Sequence, residues 1–203
     1  MLKIYVIDTR PLDISDLLSS VYLKESDLEA VSKYKVDEAK KEKAASFILK
    51  NKYIGDYSLS PKGKPVSENT FFNITHSHGV VMLAVNQTSP VGIDLEKVRK
   101  MEDDFKRYVT SDEEYDSIKS DSDFFMLWTN KESLLKARGC GIDRKLPLVP
   151  GLPLNGLRQL DGKRYQSKTM LYEDYVLSIT IEGDEIFEIS FTKENNIWKS
   201  TTL

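Results

Sequence analysis

The sequence is poor in metal-binding and disulfide-forming residues, with one cysteine and two histidines in 203 residues. A single thiol, Cys140, excludes a disulfide framework and a zinc site built from several thiolates. The longest apolar run, residues 80–85, is far shorter than the roughly 20 residues of a transmembrane helix, so we expect no membrane association. The first eight residues lack the basic and apolar regions of a signal peptide, and we therefore expect a cytoplasmic protein.

The chain also lacks a strong excess of either charge. Its net charge is −3, from 29 Lys and Arg against 32 Asp and Glu, which excludes a nucleic-acid binder that depends on bulk positive charge. A local basic pocket for a small anion remains compatible with this balance. Hydrophobic residues make up 40% and charged residues 30%, as is ordinary for a folded globular protein.

Local patterns predict helices followed by strands, twice, with a break near residues 88–90. The clearest helix covers residues 37–53, and further helices are expected within 13–57 and at 102–108, 112–119 and 121–138. Strands are expected at 1–8, 70–75, 80–86, 91–96, 170–182 and 185–192, the last two joined by a turn at 183–184. A tight turn is expected at 76–79. The fold class is therefore α+β with two similar-sized subdomains, residues 1–90 and 91–203.

Two carboxylates lie on one face of the strand at residues 91–96. Side chains alternate along a strand, so Asp94 and Glu96 point the same way, roughly 7 Å apart. Adjacent carboxylates repel one another unless a cation or solvent separates them. Spacing alone leaves open an ordinary amphipathic strand with a solvated acidic face.

The helix at 121–138 adds a third carboxylate and two lysines. Its apolar arc places Lys131 near the middle and Glu132 at the edge, and Lys136 lies one turn beyond Glu132. Charges on a core-facing stripe are unfavourable unless they are paired or bind something. A surface ion pair between Glu132 and Lys136 is the alternative, but it leaves Lys131 unexplained.

Asp94, Glu96 and Glu132 together offer oxygen ligands that suit Mg²⁺ or Mn²⁺ better than zinc. Lysines that complement such a site for phosphate groups are Lys131, Lys136, Lys64 and Lys41. His76 follows a strand, where a lone histidine is more often structural than a ligand. Cys140 lies in a glycine-rich turn without a recognisable base, which favours packing or exposure over a nucleophilic role.

Residues 92–96 (GIDLE) and 128–136 (WTNKESLLK) resemble the paired motifs of the 4′-phosphopantetheinyl transferase superfamily, in its surfactin-type branch. Upstream, residues 63–65 (GKP) and 72–77 (FNITHS) are similar to two further elements of that family. Thr75 stands where the family has serine, and Lys41 stands where arginine is usual. Lysine offers a point charge without the two-pronged geometry of a guanidinium.

The resemblance implies a pseudo-twofold fold with coenzyme A in the cleft between the halves. It makes Asp94, Glu96 and Glu132 the Mg²⁺ ligands and gives Glu132 and Lys136 the catalytic roles. It also implies a set of coenzyme A contacts that extends from the pyrophosphate to the nucleotide 3′-phosphate: Lys131, Lys136, Asp94, Lys41, Gly63, Lys64, Pro65, Thr75 and His76.

The implied activity is transfer of 4′-phosphopantetheine from coenzyme A to a serine of an apo acyl or peptidyl carrier protein. The resemblance leaves open whether Glu132 or a metal-bound water accepts the serine proton, and which pathway the carrier serves. One alternative is a Mg²⁺-dependent phosphohydrolase acting on coenzyme A or a nucleotide. Another is a non-catalytic module that binds coenzyme A or a carrier. Since one chain supplies both halves of the cleft, we expect a monomer.

Overall fold

A computed structural model describes residues 1–60, 65–139 and 146–194, which form a mixed α+β fold, as predicted. The strands are β1 (Leu2–Asp8), β2 (Ser58–Leu59), β3 (Pro65–Val66), β4 (Phe71–Ser77), β5 (Val80–Asn86), β6 (Val91–Lys97), β7 (Gly156–Leu160), β8 (Lys163–Tyr172), β9 (Tyr175–Glu182) and β10 (Ile189–Lys193). The helices are α1 (Ile14–Leu18), α2 (Glu25–Ser32), α3 (Asp37–Tyr53), α4 (Asp103–Val109), α5 (Asp112–Ser117) and α6 (Asp121–Arg138). A 3₁₀ turn covers Leu146–Leu148.

The first sheet has the strand order β10-β1-β5-β4. Strands β1 and β4 run antiparallel to β5, whereas β10 runs parallel to β1. Helix α3 covers one face, where Ala44 and Ile48 share a buried cluster with Val81 and Leu83. Acidic residues in its first turn and lysines in its last turn complement the helix dipole, and the predicted helix at 37–53 is confirmed in full.

The second sheet is antiparallel, with the order β6-β9-β8-β7. Helix α6 packs on it through a buried cluster that includes Phe124, Leu134 and Val176. Ser120 caps the start of α6 by accepting the N–H of Asp123, and Gly139 ends the helix with a left-handed φ of 80°.

The two sheets share a core, because one buried cluster contains Leu2 and Ile4 of β1 together with Ile93 of β6 and Leu177 of β9. None of the helices in the described ranges is long and apolar enough to cross a membrane.

Strands β4 and β6 meet through side chains instead of a backbone ladder. The backbone N–H of Ile93 donates to Asn73 Oδ1 at 3.1 Å, and that of Leu95 donates to Thr75 Oγ1 at 3.3 Å. The N–H of Lys97 donates to Ser77 Oγ at 3.3 Å. This contact joins the sheets beside the motif carboxylates.

The connectivity of the two sheets is repeated, which is consistent with the expected pseudo-twofold arrangement. In each case one strand leads into three helices and, further along the chain, into a hairpin whose second strand pairs with it: β5 of the β4–β5 hairpin with β1, and β9 of the β8–β9 hairpin with β6. The division at residue 90 stays a prediction. Strand β10, near the end of the described chain, returns to pair with β1.

Three strand predictions were wrong in detail. The segment 170–182 is two strands, because Glu173 adopts a positive φ of 54° and turns the chain between β8 and β9. Strand β10 pairs with β1 and not with the strand before it, a non-local choice that no turn sequence encodes. Strand β4 continues to Ser77, which leaves the tight turn to His78 and Gly79, both with positive φ.

Candidate active site

Gly92 lets helix α6 lie directly against strand β6. A Cβ atom built at Gly92 would lie 2.0 Å from the carbonyl oxygen of Ser133 and 2.4 Å from the nitrogen of Ala137. These separations are far inside van der Waals contact, so any side chain would push the helix off the strand. The motif glycine therefore sets the distance between the β6 carboxylates and those side chains of α6 that face them.

Asp94 is a buried carboxylate that contacts Lys136. Its Oδ1 accepts hydrogen bonds from Lys136 Nζ at 2.7 Å and from Thr75 Oγ1 at 3.3 Å. Its Oδ2 is buried and has no hydrogen-bond partner among the described residues. Burial raises the pKa of Asp94 against the lowering effect of Lys136, because removing a carboxylate from water disfavours its charged form.

Glu132 lies on α6 as a second buried carboxylate, and within the described part of the chain its Oε1 also has no hydrogen-bond partner. Burial, together with the negative charges of Asp94 and Glu96 and against the lowering effect of Lys136, raises its pKa to about 7. The electrostatic coupling among these residues indicates that the three predicted carboxylates come together at one place.

Glu96 is the most exposed of the three carboxylates, and two side chains hold it at the edge of the cluster. Its Oε2 accepts a hydrogen bond from Ser77 Oγ at 3.3 Å and from Arg99 Nη1 at 3.0 Å. Arg99 therefore places a guanidinium beside the acidic cluster, a contact that the motif reading did not anticipate.

The three carboxylates are chemically suitable ligands for a hard divalent cation. Among the described residues, no three His, Cys, Asp or Glu side chains are arranged to hold a metal ion as they stand. Lys136 pairs with Asp94, and Arg99 pairs with Glu96. The partnerless oxygens of Asp94 and Glu132 are nevertheless the hard ligands that Mg²⁺ or Mn²⁺ binds. Buried polar atoms without a partner are uncommon in folded proteins and need an explanation.

Lys131 lies away from this cluster, in a buried ion pair. Its Nζ is 2.6 Å from Glu114 Oε2 and donates to the carbonyl oxygens of Val109 at 2.8 Å and Leu146 at 3.0 Å. Glu114 Oε1 accepts the N–H of Gly151 at 2.6 Å. With three acceptors around its ammonium, Lys131 anchors α6 to the preceding helices and to the 146–151 segment.

Buried hydroxyl groups fix the same turn of α6 to the second sheet. Thr129 Oγ1 lies 2.7 Å from Ser178 Oγ, and Ser133 Oγ lies 2.7 Å from Thr180 Oγ1. Arg158 of β7 donates to Thr180 and to the carbonyl oxygen of Asn130. The neighbours of Glu132 are thus held by polar contacts, which restrict the direction of its side chain.

The predicted contacts in the first half lie around β4. His76 follows Thr75 on that strand, and its Nδ1 lies 2.9 Å from Glu42 Oε2 of α3, next to half-buried Lys41. Pro65 begins β3 and lines a cavity of about 300 Å³. Gly63, Lys64 and Cys140 lie outside the described residues.

Residues 90–180 match the family model described as the 4′-phosphopantetheinyl transferase superfamily. This segment, a little under half of the chain, is similar to that superfamily. The matched segment contains Asp94, Glu96, Glu132 and Lys136.

Three relatives carry the name 4′-phosphopantetheinyl transferase. HetI of Nostoc sp. is 34% identical over 116 residues, which cover 48% of this chain and 48% of the relative. The gsp protein of Aneurinibacillus migulanus is 33% identical over 134 residues, covering 62% and 52%. Sfp of Bacillus subtilis is 35% identical over 101 residues, covering 45% and 44%. These similarities support the surfactin-type branch that the motifs resemble. The chain spans about half the length of the curated relatives it matches.

Sequence reasoning missed four residues of this candidate site and its supports: Glu42, Arg99, Glu114 and Arg158. A local signal exists for Glu114, because Ser111 and Glu114 form a capping box of the S-x-x-E type. Glu42 and Arg158 contact residues in other elements, so their roles depend on the tertiary fold.

Proposed function

We propose that this protein transfers 4′-phosphopantetheine from coenzyme A to a serine hydroxyl of an apo acyl or peptidyl carrier protein. The observation that carries the proposal is the cluster of Asp94, Glu96 and Glu132 beside Lys136, within the segment that matches the superfamily. The names of the relatives support the same reaction.

In this reaction the serine oxygen forms a bond to the phosphorus next to the pantetheine arm. The bond from that phosphorus to the bridging oxygen breaks, and adenosine 3′,5′-bisphosphate leaves. A base must take the serine proton, and negative charge moves onto the leaving phosphate. Catalysis therefore requires a proton acceptor and positive charge near the pyrophosphate.

Asp94, Glu96 and Glu132 are the residues that would hold Mg²⁺ or Mn²⁺. When bound, a divalent cation supplies positive charge to the pyrophosphate oxygens. The two partnerless carboxylate oxygens support this assignment, because a cation would satisfy both.

The two remaining roles, a pyrophosphate contact and a proton acceptor, are assigned to Lys136 and Glu132. We assign Lys136 to the pyrophosphate, since its ammonium lies at the acidic cluster, 2.7 Å from Asp94. Glu132 is the candidate base, because its carboxylate is buried and one oxygen lacks a partner. Lys131 acts indirectly, by holding α6 through Glu114.

The nucleotide end of coenzyme A is assigned to the first half of the chain. His76, Lys64 and Lys41 would contact its phosphate groups, with Gly63 and Pro65 shaping the loop. Thr75 supports Asp94 through its hydroxyl. We expect the reaction to take place in the cytoplasm.

The deciding experiment is mass spectrometry of several apo carrier proteins incubated with coenzyme A, Mg²⁺ and this protein. A mass gain of one phosphopantetheine on a carrier, absent with Asp94→Asn, supports the proposal. Arg164→Gln is the matched control, since Arg164 is exposed and pairs with Asp184 on the second sheet.

Two other results would overturn the proposal. Breakdown of coenzyme A without any carrier modification identifies a phosphohydrolase. Binding of coenzyme A with neither breakdown nor carrier modification, across carriers from fatty-acid, polyketide and nonribosomal-peptide synthesis, identifies a non-catalytic binding module.

A further inference from the structure

Glu42 connects helix α3 to the β4–β5 hairpin. Its Oε2 lies 2.9 Å from His76 Nδ1, and its Oε1 accepts the N–H of Gly79 at 2.7 Å. The Glu42 side chain is only 12% exposed, whereas the His76 ring is 55% exposed. A buried carboxylate therefore holds one nitrogen of a ring that otherwise faces solvent.

The chemistry of this pair sets which nitrogen of His76 is free. An ionised carboxylate only accepts hydrogen bonds, so the contact requires a proton on Nδ1. Burial opposes ionisation of Glu42, but the bonds from His76 and Gly79 outweigh it, and the pKa of Glu42 is lowered. The second ring nitrogen, Nε2, lies on the far side of the ring from Glu42.

We propose that Glu42 is a positioning residue that fixes the orientation of His76 and the proton on its Nδ1, so that Nε2 faces the 3′-phosphate of coenzyme A and donates to it. The inference rests on the proposed function for the identity of the ligand. A ring that donates Nδ1–H to Glu42 on one side can donate Nε2–H to a phosphate on the other when both nitrogens carry a proton.

A purely structural role is the competing explanation, because Glu42 also closes the hairpin turn through Gly79 N–H. The two roles differ in one respect. A positioning residue acts on phosphate recognition only through His76, so removing it after His76 is gone should change nothing further.

The test is a double-mutant cycle read by calorimetry with coenzyme A and dephospho-coenzyme A, which differ only in the 3′-phosphate. His76→Ala should reduce the affinity ratio for the two ligands on the order of tenfold or more, the usual scale for a charge-assisted hydrogen bond. Glu42→Ala should lose most of the same factor, and the double variant should lose no more than His76→Ala. Glu38→Ala, at an exposed position one turn earlier on α3, should keep the wild-type ratio.

A ligand-free measurement tests the orientation itself. The chain has two histidines, so nitrogen-15 spectra contain two imidazole rings, and His78→Gln assigns them. In wild type, the neutral His76 ring should carry its proton on Nδ1. In Glu42→Gln the amide oxygen can keep the Gly79 bond while its NH₂ donates to Nδ1, so the proton should move to Nε2.

The proposal is overturned if the losses in Glu42→Ala and His76→Ala multiply in the double variant, or if Glu42→Ala keeps the wild-type ratio. It is also overturned if the His76 tautomer is unchanged in Glu42→Gln, a variant that retains the hairpin contact should Glu42→Ala fail to fold. Equal wild-type affinity for the two ligands would likewise refute it. Transfer to carriers is measured separately, so failure of the proposed function is distinguishable from failure of this inference.

Discussion

Replacing Gly92 with alanine should separate the two halves of the acidic cluster. The new Cβ would lie 2.0 Å from Ser133 O, so α6 must recede by at least about 1 Å before that contact reaches ordinary separation. Glu132 and Lys136 would move with the helix, away from Asp94. A displacement of about 1 Å at a catalytic group lowers rates on the order of 10²-fold.

The free energy of unfolding should fall as well, and this loss can be measured separately from the loss of activity. Overpacking at a helix–strand contact costs about 1–3 kcal/mol, and each kcal/mol lowers the Tm of a domain of this size by roughly 2–4 °C. Gly162→Ala is the matched control, because Gly162 has a φ of 75° and nothing within 4 Å of its would-be Cβ. That variant should lose about 1–2 kcal/mol from backbone strain while leaving the active site intact.

The assay is kcat for carrier modification, together with a thermal melt for each variant. We expect Gly92→Ala to lose about 10²-fold in kcat at a temperature where it is fully folded, and Gly162→Ala to keep wild-type kcat. A folded Gly92→Ala protein with kcat within about twofold of wild type would show that the close approach of α6 to β6 does not set the active-site geometry.

Four further outcomes are expected. Glu132→Gln should bind coenzyme A almost normally in calorimetry, but its kcat should fall on the order of 10²-fold. Added Mg²⁺ should not restore kcat. Recovery of kcat at high Mg²⁺ would show that Glu132 is a metal ligand and not the base. The pKa of Glu42 is lower in the folded protein than its ordinary value of 4.5. Ionised Glu42 therefore makes its full contribution to stability at pH values above 4.5, and this contribution is lost as the pH falls through the folded pKa. The urea midpoints of wild type and Glu42→Gln should therefore converge in acid, and a constant difference would contradict this. Glu194→Ala should destabilise the fold by about 1–3 kcal/mol in urea unfolding, because half-buried Glu194 accepts hydrogen bonds from Lys52 and Tyr53 and ties the end of β10 to α3. An unchanged midpoint would count against that contact. Light scattering should show an active monomer, and an obligate oligomer that loses activity on dilution would contradict this expectation.

Local sequence was sufficient to predict the fold class and the carboxylates of the site. Strand alternation places Asp94 and Glu96 on one face, and helical periodicity places Glu132 and Lys136 one turn apart. Both periodicities depend only on backbone geometry, so they hold before any tertiary contact forms. The same argument indicated that Lys131, which lies on an apolar arc of α6, must be paired with another group or bind a ligand.

The identity of that partner depended on the tertiary structure. Lys131 pairs with Glu114, and His76 with Glu42, through contacts between elements that no local period relates. The pairing of β10 with β1 is equally non-local, since a strand's hydrogen-bonding groups accept any neighbour that the packed fold brings alongside.

Sequence by itself determined which residue types recur at which spacing, and therefore which side chains share a face. The tertiary structure decided which of those faces meet. At the candidate active site the meeting of these faces depends on Gly92. Because Gly92 has no side chain, α6 approaches β6 closely, and Glu132 and Lys136 lie beside Asp94. Periodicity describes one element at a time, whereas the distance between two elements is set by the packing of their side chains.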